Sequence, residues 1–454
     1  MSIKVKLVSS TNRQPTPLIS HAALACYGPE KPKWGREIDI DARLWGTGHH
    51  TTFQHYFLSF FIEGISVGDV TLGLHLASPF YNSSQRSGRF CGGMFASPDL
   101  PAIRRYIKIF WPKVSTPTLK AIDAYVNFGV TVFQENIAPA TKMAQRLIGQ
   151  ERPFANDKYK EQNGPKIAQE QLRMFIPLIF PTGLLYTVNL SALAAMYRSA
   201  RTPVMKALTE KMATEVIKKH PELAFLFGPK TKKQDWAMSV PGKEPETKTS
   251  PLLVAHEIFG EKKLTLPNPE DTNPLDCLHF DPAFMGNATG GIFTRIILSL
   301  ATMGQNQRHR TLSRSQPSFT GNFYLPPIAH GLGLGQKALE LMARWQKIST
   351  SVPSTLAMVL APYGAMVAYD TFGNFNALIH EHSKRLCWCA QEEISELSRQ
   401  LRLAIGQSRG HESSLLQLFE PPCYRTGKCA EGARYCGRDI AQRKKGDYFP
   451  KRQV

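Results

Sequence analysis

Two stretches of this 454-residue chain carry the same landmarks at one spacing. Pro177 and Pro362, Asn189 and Asn374, Ala192 and Ala377, and Leu193 and Leu378 are each 185 residues apart. Each half also carries a histidine motif upstream, Leu74-His75-Leu76 in the first and Arg308-His309-Arg310 in the second. A spacing kept this way implies two copies of one folding unit. The expected organisation is a first repeat over 1–225, a linker or insertion over 226–274, a second repeat over 275–422 and a basic, cysteine-containing tail over 423–454. The linker is placed where Pro, Lys, Glu and Asp accumulate and apolar periodicity fades, from Gly228 to Pro274.

Composition narrows the partners. Hydrophobic residues at 42% and charged residues at 20% are those of an ordinary globular chain, which excludes global disorder, collagen and coiled coil. The net charge of +19 favours anions: nucleic acid, phosphorylated metabolites or acidic lipid. No apolar run is long enough to span a bilayer, and Met1 to Arg13 lacks the apolar core of a signal peptide. The expected location is therefore cytoplasmic, with the eight cysteines reduced and no membrane partner. His49, His50, His55 and His75 have no strong metal spacing, and Cys423, Cys429 and Cys436 do not form a standard pair, so no metal site is assigned. The linker lysines Lys230, Lys232 and Lys233 and the basic tail read as solvated charge.

Periodicity predicts a strand over Ile3 to Val8, a short helix over His21 to Tyr27 and a buried strand over His55 to Ile62 that Gly64 ends. A helix is expected from Val67 to Leu76. Ile103 to Ile148 reads as helix broken near Pro112 and Pro117, and Glu151 to Lys166 as a charged loop. Val188 to Lys219 reads as one long helix kinked at Pro203, Gly290 to Met303 as an apolar helix, and Gln336 to Ser349 and Asn374 to Leu403 as amphipathic helices. Beyond Cys423 the chain reads as loop. The fold class expected is α/β (α+β).

The sharpest chemical signal is Arg308-His309-Arg310-Thr311-Leu312-Ser313. Two arginines flanking a histidine repel one another unless an anion neutralises them, and bidentate guanidinium contacts suit phosphate. Taken alone, such a tripeptide is most often a solvated basic turn. Here it resembles the signature of the flavin-dependent thymidylate synthases, R-H-R-x-x-S-x-N-E-x-S-x-R. Gln305, Arg308, His309, Arg310 and Ser313 match its first part; Gln316 stands at the Glu position, Ser318 matches, and Thr320 stands at the final Arg. The first half is complementary. It keeps His75 of the triplet, has Asn82 at the Glu position, and retains Ser84 and Arg86 of the closing S-x-R. Gly48-His49-His50-Thr51 resembles the family's G-H-x-[ST] segment, and Phe57 to Ser66 its following strand. Further on, Arg173 and Pro177 match R-x-x-x-P in the first half. Asn374, Leu378, His380, Arg385, Ala390, Gln391, Glu393 and Ile394 match N-A-R-S-L-x-[HN] and R-x-x-x-x-A-Q-x-E-I in the second, with Asn376 at the middle arginine.

The resemblance implies two such repeats, each a curved, mainly antiparallel sheet with long helices. It implies reductive methylation of dUMP to dTMP, with FAD as cofactor and methylenetetrahydrofolate and NADPH as co-substrates. It assigns Arg385 to catalysis. Gln305, Arg308, Ser84, Gln85, Arg86 and Arg173 are assigned to dUMP, and His49, Thr51, Asn82, Arg308, His309, Arg310, Asn374, Asn376 and His380 to FAD. Ser84 has no adjacent base, so it reads as a hydrogen-bond donor and not as a nucleophile. Because the family builds each site from different subunits of a tetramer, a double copy implies a homodimer imitating that tetramer. Two other readings stand beside this one: a flavin enzyme that modifies dUMP differently, for instance by hydroxymethylation, and a non-catalytic nucleotide- or nucleic-acid-binding descendant.

Overall fold

The computed structural model describes the chain except residues 1, 12–13, 77–80, 90, 92, 96, 229–233, 261–263, 267, 269–280, 411–412, 430, 433–434 and 446–448. Lys230, Lys232 and Lys233 lie outside the described residues. The architecture is mixed, with helices packed around two largely antiparallel sheets.

The first sheet has the order β1-β2-β4-β3, built from β1 (Lys4–Ser10), β2 (Phe57–Ser66), β3 (Tyr81–Gln85) and β4 (Pro181–Asn189). β2 does not stop at Gly64. The chain bulges there at φ +77°, a position that needs glycine because a Cβ would run into the backbone of Ser2, and pairing resumes at Ile65. Between the strands lie α1 (Pro15–Tyr27), α2 (Leu100–Phe110), α3 (Thr116–Glu151) and α4 (Asp157–Leu172). The last of these corrects the expected charged loop: Asn156 accepts from the Tyr159 N–H and caps a helix that absorbs Pro165. The long helix expected over Val188 to Lys219 is also corrected. Its start belongs to β4, and the rest is two helices, α5 (Leu190–Ser199) and α6 (Pro203–Lys219), the second opened by Thr202 with Pro203 in its first turn.

The second sheet has the order β5-β9-β10-β7-β6, with β8 (Ser313–Arg314) also on β10. β5 (Thr247–Lys248) and β6 (Leu252–Phe259) come from the stretch expected to be a linker. β7 (Gly291–Ser299) replaces most of the apolar helix expected there, and only α7 (Leu300–Asn306) remains helical. β9 (Ser318–Tyr324), α8 (Gly335–Ser349), α9 (Ser354–Val359), β10 (Ala365–Asn374), α10 (Phe375–Arg385) and α11 (Glu392–Arg409) complete it. The helix expected from Asn374 to Leu403 is thus broken by a turn over 386–391, which holds Cys387 and Cys389.

The repeated Asn-Ala-Leu landmark has a local cause. Asn189 ends β4 and its Oδ1 accepts the Ala192 N–H at 2.8 Å; Asn374 ends β10 and accepts the Ala377 N–H at 2.9 Å. Leu193 and Leu378 are then turned into the core. The two halves meet along a short antiparallel seam at Pro177 and Pro362. Leu178 N–H donates to Ala361 O at 2.8 Å and Tyr363 N–H to Ile176 O at 2.9 Å. Gly68 N–H to Leu178 O in one half has a counterpart in Ala301 N–H to Tyr363 O in the other. One hydrophobic core runs through both halves, and a second forms between α10, α11 and the C-terminal segment.

Candidate active site

α7 is short, and its start is fixed from outside. Ser299 caps it, while Glu393 on α11 accepts from the Ser299 N–H (2.6 Å), the Ser299 hydroxyl (2.5 Å) and the Thr302 hydroxyl (2.6 Å). Burial pushes the Glu393 carboxyl up to about 7. At the far end of α7 the chain delivers Gln305 and turns through Arg308, His309 and Arg310. Arg314, a residue the sequence reading passed over, clamps this turn: its guanidinium donates to Asn306 Oδ1 (2.7 Å), His309 O (2.9 Å) and Leu312 O (3.1 Å).

The turn faces the other half of the chain. Arg308 donates to Ser83 O at 3.0 Å on β3. Arg310 donates to Asn82 Oδ1 at 2.8 Å and lies 4.8 Å from the Tyr81 ring. Tyr81 stacks on His75 at 4.9 Å, and His75 shares a hydrogen bond with the Ser83 hydroxyl at 2.9 Å. Gln307 donates to Thr71 O at 2.9 Å.

A second set of contacts crosses the same junction. Arg385, at the end of α10, donates through Nε to His309 Nε2 and through Nη2 to Gln305 O, both at 2.8 Å. Burial, reinforced by this cation, holds the His309 imidazole well below the usual histidine range and therefore neutral. Since Nε2 accepts, the proton sits on Nδ1, which is buried without a protein partner. Burial also lowers Arg385 to about 10. Arg173, buried at the end of α4, donates from Nη2 to Gln391 Oε1 at 2.9 Å, and Gln305 Nε2 donates to the same oxygen. Arginine can only donate, so it fixes Gln391 Oε1 towards itself, and Gln305 must then present Nε2. Gln391 Nε2 and Gln305 Oε1 are left buried and unpaired, one donor beside one acceptor. The sequence reading matched Gln391 to the family pattern but gave it no role.

The structure thus brings together Gln305, Arg308, His309, Arg310, Arg385, Arg173 and Asn82, with His380 edge-on to His309 at 5.6 Å. Ser84 on β3 and Arg86 just after it have exposed side chains, and Gly88 beyond them lies so near Arg173 that a Cβ there would be 3.4 Å from Nη1. Gln85 turns away from them and donates to Thr182 Oγ1 at 3.4 Å. Asn374 caps α10 through its Oδ1. Asn376 is buried and donates to Phe284 O at 3.0 Å. His49 and Thr51 are exposed in and just before the turn that precedes β2, and among the described residues no hydrogen bond joins either to the cluster.

Comparison with known proteins finds a family match over the first half of the chain. Residues 6–222 match the Thy1 family, described as thymidylate synthase complementing protein. No curated protein sequence matches the chain. Among solved structures the chain is similar to thymidylate synthase X from Helicobacter pylori, crystallised with FAD and dUMP. The identity is 17%, covering 50% of this chain and 100% of that one, with a TM-score of 0.33. It is similar too to the UMP/dUMP methylase PolB from Streptomyces cacaoi bound with 5-Br dUMP, at 19% identity, covering 49% of this chain and 95% of that one, with a TM-score of 0.32. Over residues 6–222 the match runs through β3, Arg173 and the Asn189 cap, and over that stretch the chain is similar to the Thy1 family.

Proposed function

We propose that the chain is a flavin-dependent thymidylate synthase, converting dUMP to dTMP with methylenetetrahydrofolate as carbon donor and NADPH as electron source. The observation that carries this reading is the unpaired couple of Gln305 Oε1 and Gln391 Nε2 between Arg173 and Arg385. Uracil has a ring N–H beside a carbonyl oxygen, which is the complementary couple. A buried, unpaired polar pair costs roughly 1–3 kcal/mol per group, and a uracil edge relieves that cost. Arg385 keeps Nη1 for the ring oxygen, where negative charge gathers as carbon–carbon bond formation begins; a cation already fixed by His309 and Gln305 needs no reorganisation to meet it. Ser84, Arg86 and Arg173 form the phosphate seat.

The residues present also fit FAD. His309 Nδ1–H and Arg310 Nε are buried donors without protein acceptors, and Arg308, Asn82 and His380 surround them. The flavin when bound supplies the hydride chemistry. The four ligands are anionic, in keeping with the charge of +19. Two repeats pool their surviving residues into one site: the nucleotide seat from the first, the clamp from the second. His49 and Thr51 belong to the site of a second copy, in a homodimer acting as a pseudo-tetramer. The departures at Gln316 and Thr320 leave a different modification of dUMP as a second reading, which product mass resolves.

The test is base discrimination. Cytosine reverses the hydrogen-bonding character of its edge, so dUMP is expected to bind at least about 100-fold more tightly than dCMP by calorimetry. Turnover of dUMP with FAD, NADPH and methylenetetrahydrofolate then yields dTMP. Equal affinity for the two nucleotides sinks the assignment of the amide couple to uracil.

A further inference from the structure

The turn over 386–391 carries two thiols that the chemistry above does not use. It begins directly after Arg385 and ends on Gln391, whose Oε1 meets Arg173 and Gln305. In between, the chain reverses from Cys387 to Ala390, closed by the Ala390 N–H donating to Cys387 O at 2.9 Å. Cys387 and Cys389 are therefore two residues apart at a chain reversal, and the Cys389 thiol and backbone N–H both donate to Cys387 Sγ. Sulfurs in direct contact across so short a span are within reach of a disulfide. Both are accessible, Cys389 as an exposed side chain and Cys387 as a half-buried one. Arginines hold the carbonyls of the turn from outside. Trp388 O accepts from Arg152 (3.1 Å) and Arg452 (3.4 Å), Cys389 O from Arg89 (3.0 Å) and Ala390 O from Arg452 (2.6 Å).

The two thiols are unequal. The hydrogen bonds from Cys389, with the charges of Arg452 and Arg438 behind them, hold the Cys387 thiol below its usual range against the opposing effect of burial. Donating to Cys387 and burial push Cys389 up, so it stays protonated. A thiolate beside an accessible protonated thiol is an attacking and a resolving group side by side. Cys423 and Cys436 face the same turn, but both are buried and burial pushes their thiols up. We propose that Cys387 and Cys389 are a peroxide-responsive pair whose closure to a disulfide loosens the pyrimidine seat. The Cys387 thiolate attacks hydrogen peroxide: an S–O bond forms, the O–O bond breaks, and the leaving hydroxide takes up a proton as water. The Cys389 thiol then attacks the Cys387 sulfur. An S–S bond forms, the S–O bond breaks, and the departing hydroxide takes the thiol proton as a second water. Two thiols are oxidised and one peroxide is reduced. Ring closure draws the two Cβ atoms together across Trp388, so the carbonyls at 388–390 no longer all meet their arginines and Gln391 shifts from Arg173. The effect on dUMP rests on the uracil assignment above; the pairing of the thiols does not.

The test treats the full reduced chain with hydrogen peroxide, blocks the remaining thiols with iodoacetamide and maps the peptides by mass spectrometry. The expected result is an internal Cys387–Cys389 disulfide and a dUMP affinity about tenfold weaker by calorimetry, the loss of one hydrogen bond at Gln391. Dithiothreitol should reverse both. Cys389→Ser should stop at a sulfenic acid on Cys387 that dimedone traps, and Cys387→Ser should form no disulfide. Serine is close to cysteine in size, and an unchanged Tm and dUMP affinity of the reduced variants verify that the fold is kept. A disulfide from Cys387 to any other cysteine, or peroxide treatment that leaves both thiols free, overturns the pair. A complete Cys387–Cys389 disulfide with unchanged dUMP affinity overturns its effect on the seat. Reduced chain that binds no dUMP removes the uracil assignment instead, and the peptide map still decides the pair.

Discussion

Histidine 382 sits next to the catalytic candidates and does none of their work. It is 4% exposed, both ring nitrogens lack partners, and its ring packs 4.2 Å from Phe419. Burial, reinforced by Arg402 and Arg385, lowers it to about 3. The folded protein therefore keeps it neutral, whereas the unfolded chain protonates it below about pH 6.5. Between those two limits the unfolded state binds the extra proton, so this side chain removes stability as the pH falls through that window. The slope is about 1.4 kcal/mol per pH unit. His75, lowered to about 3 by burial beside Arg308 and Arg310, acts in the same direction. Glu381 and Glu393, raised by burial, act in the opposite one, so the total pH profile does not isolate any single group. The comparison that does is His382→Leu against the wild-type chain, by thermal unfolding at pH 7, 6 and 5. The variant should gain on the wild type with each step down in pH. A difference that stays constant over that range would mean that His382 titrates in the folded protein as it does in the unfolded chain.

At the scale of elements, the site depends on α11 reaching the start of α7. Glu393 accepts three hydrogen bonds there, while in the first half Asp69 caps Ser66 from within its own helical turn. Removing Glu393 leaves the Ser299 N–H and the Thr302 hydroxyl buried without that acceptor, at a cost of about 2–4 kcal/mol. Glu393→Ala should lower Tm by several degrees and weaken dUMP binding, because Gln305 and Arg308 lose the anchor of their helix. Glu393→Gln, which keeps one acceptor oxygen, should lose less on both counts. Equal losses from the two variants would show that bulk, not hydrogen bonding, holds α7. None of this was readable from the chain alone. The Arg-His-Arg turn, Arg173 and Arg385 were legible because their residue types sit in a short fixed pattern. Ser83, Arg314 and the role of Gln391 were not, since each depends on a partner between 5 and 225 residues away. Two element assignments failed for related reasons. Gly290 to Met303 is mostly apolar because β7 lies between two other strands, and such a run does not distinguish strand from helix. Glu151 to Lys166 looked like loop because its charge and Pro165 outweighed the single capping signal at Asn156.

Across the whole molecule the two halves are unequal, and the inequality sets the stoichiometry. Where the second half has Gln305, Arg308, Arg310 and Arg385, the aligned positions of the first are Thr71, Leu74, Leu76 and Ala200. Leu74, Leu76 and Ala200, with Met205 and Trp236, line a cavity of only about 90 Å³. Met205 Sδ lies so close that a Cβ on Gly73 would meet it at 2.7 Å, and Trp236 is held there by its N–H to Arg201 O at 2.9 Å. A cavity of this size excludes an isoalloxazine. One flavin per chain is therefore expected. The outer face of the first sheet suggests how the site is completed. Phe61 and Leu185 are directly paired across β2 and β4, and with Phe57 they are 44%, 42% and 48% exposed. Phe57 follows directly on the turn that carries Thr51, so a second copy covering this face would also engage that turn. Light scattering should give a species of twice the 50.8 kDa chain mass, with flavin absorbance matching one FAD per chain. Phe61→Glu, which places a carboxylate in the covered face, should yield monomers that lose FAD while the Arg173–Gln391–Gln305 contacts stay within one chain. A monomeric wild-type protein with full flavin would remove the second copy from the site and return His49 and Thr51 to ordinary surface residues.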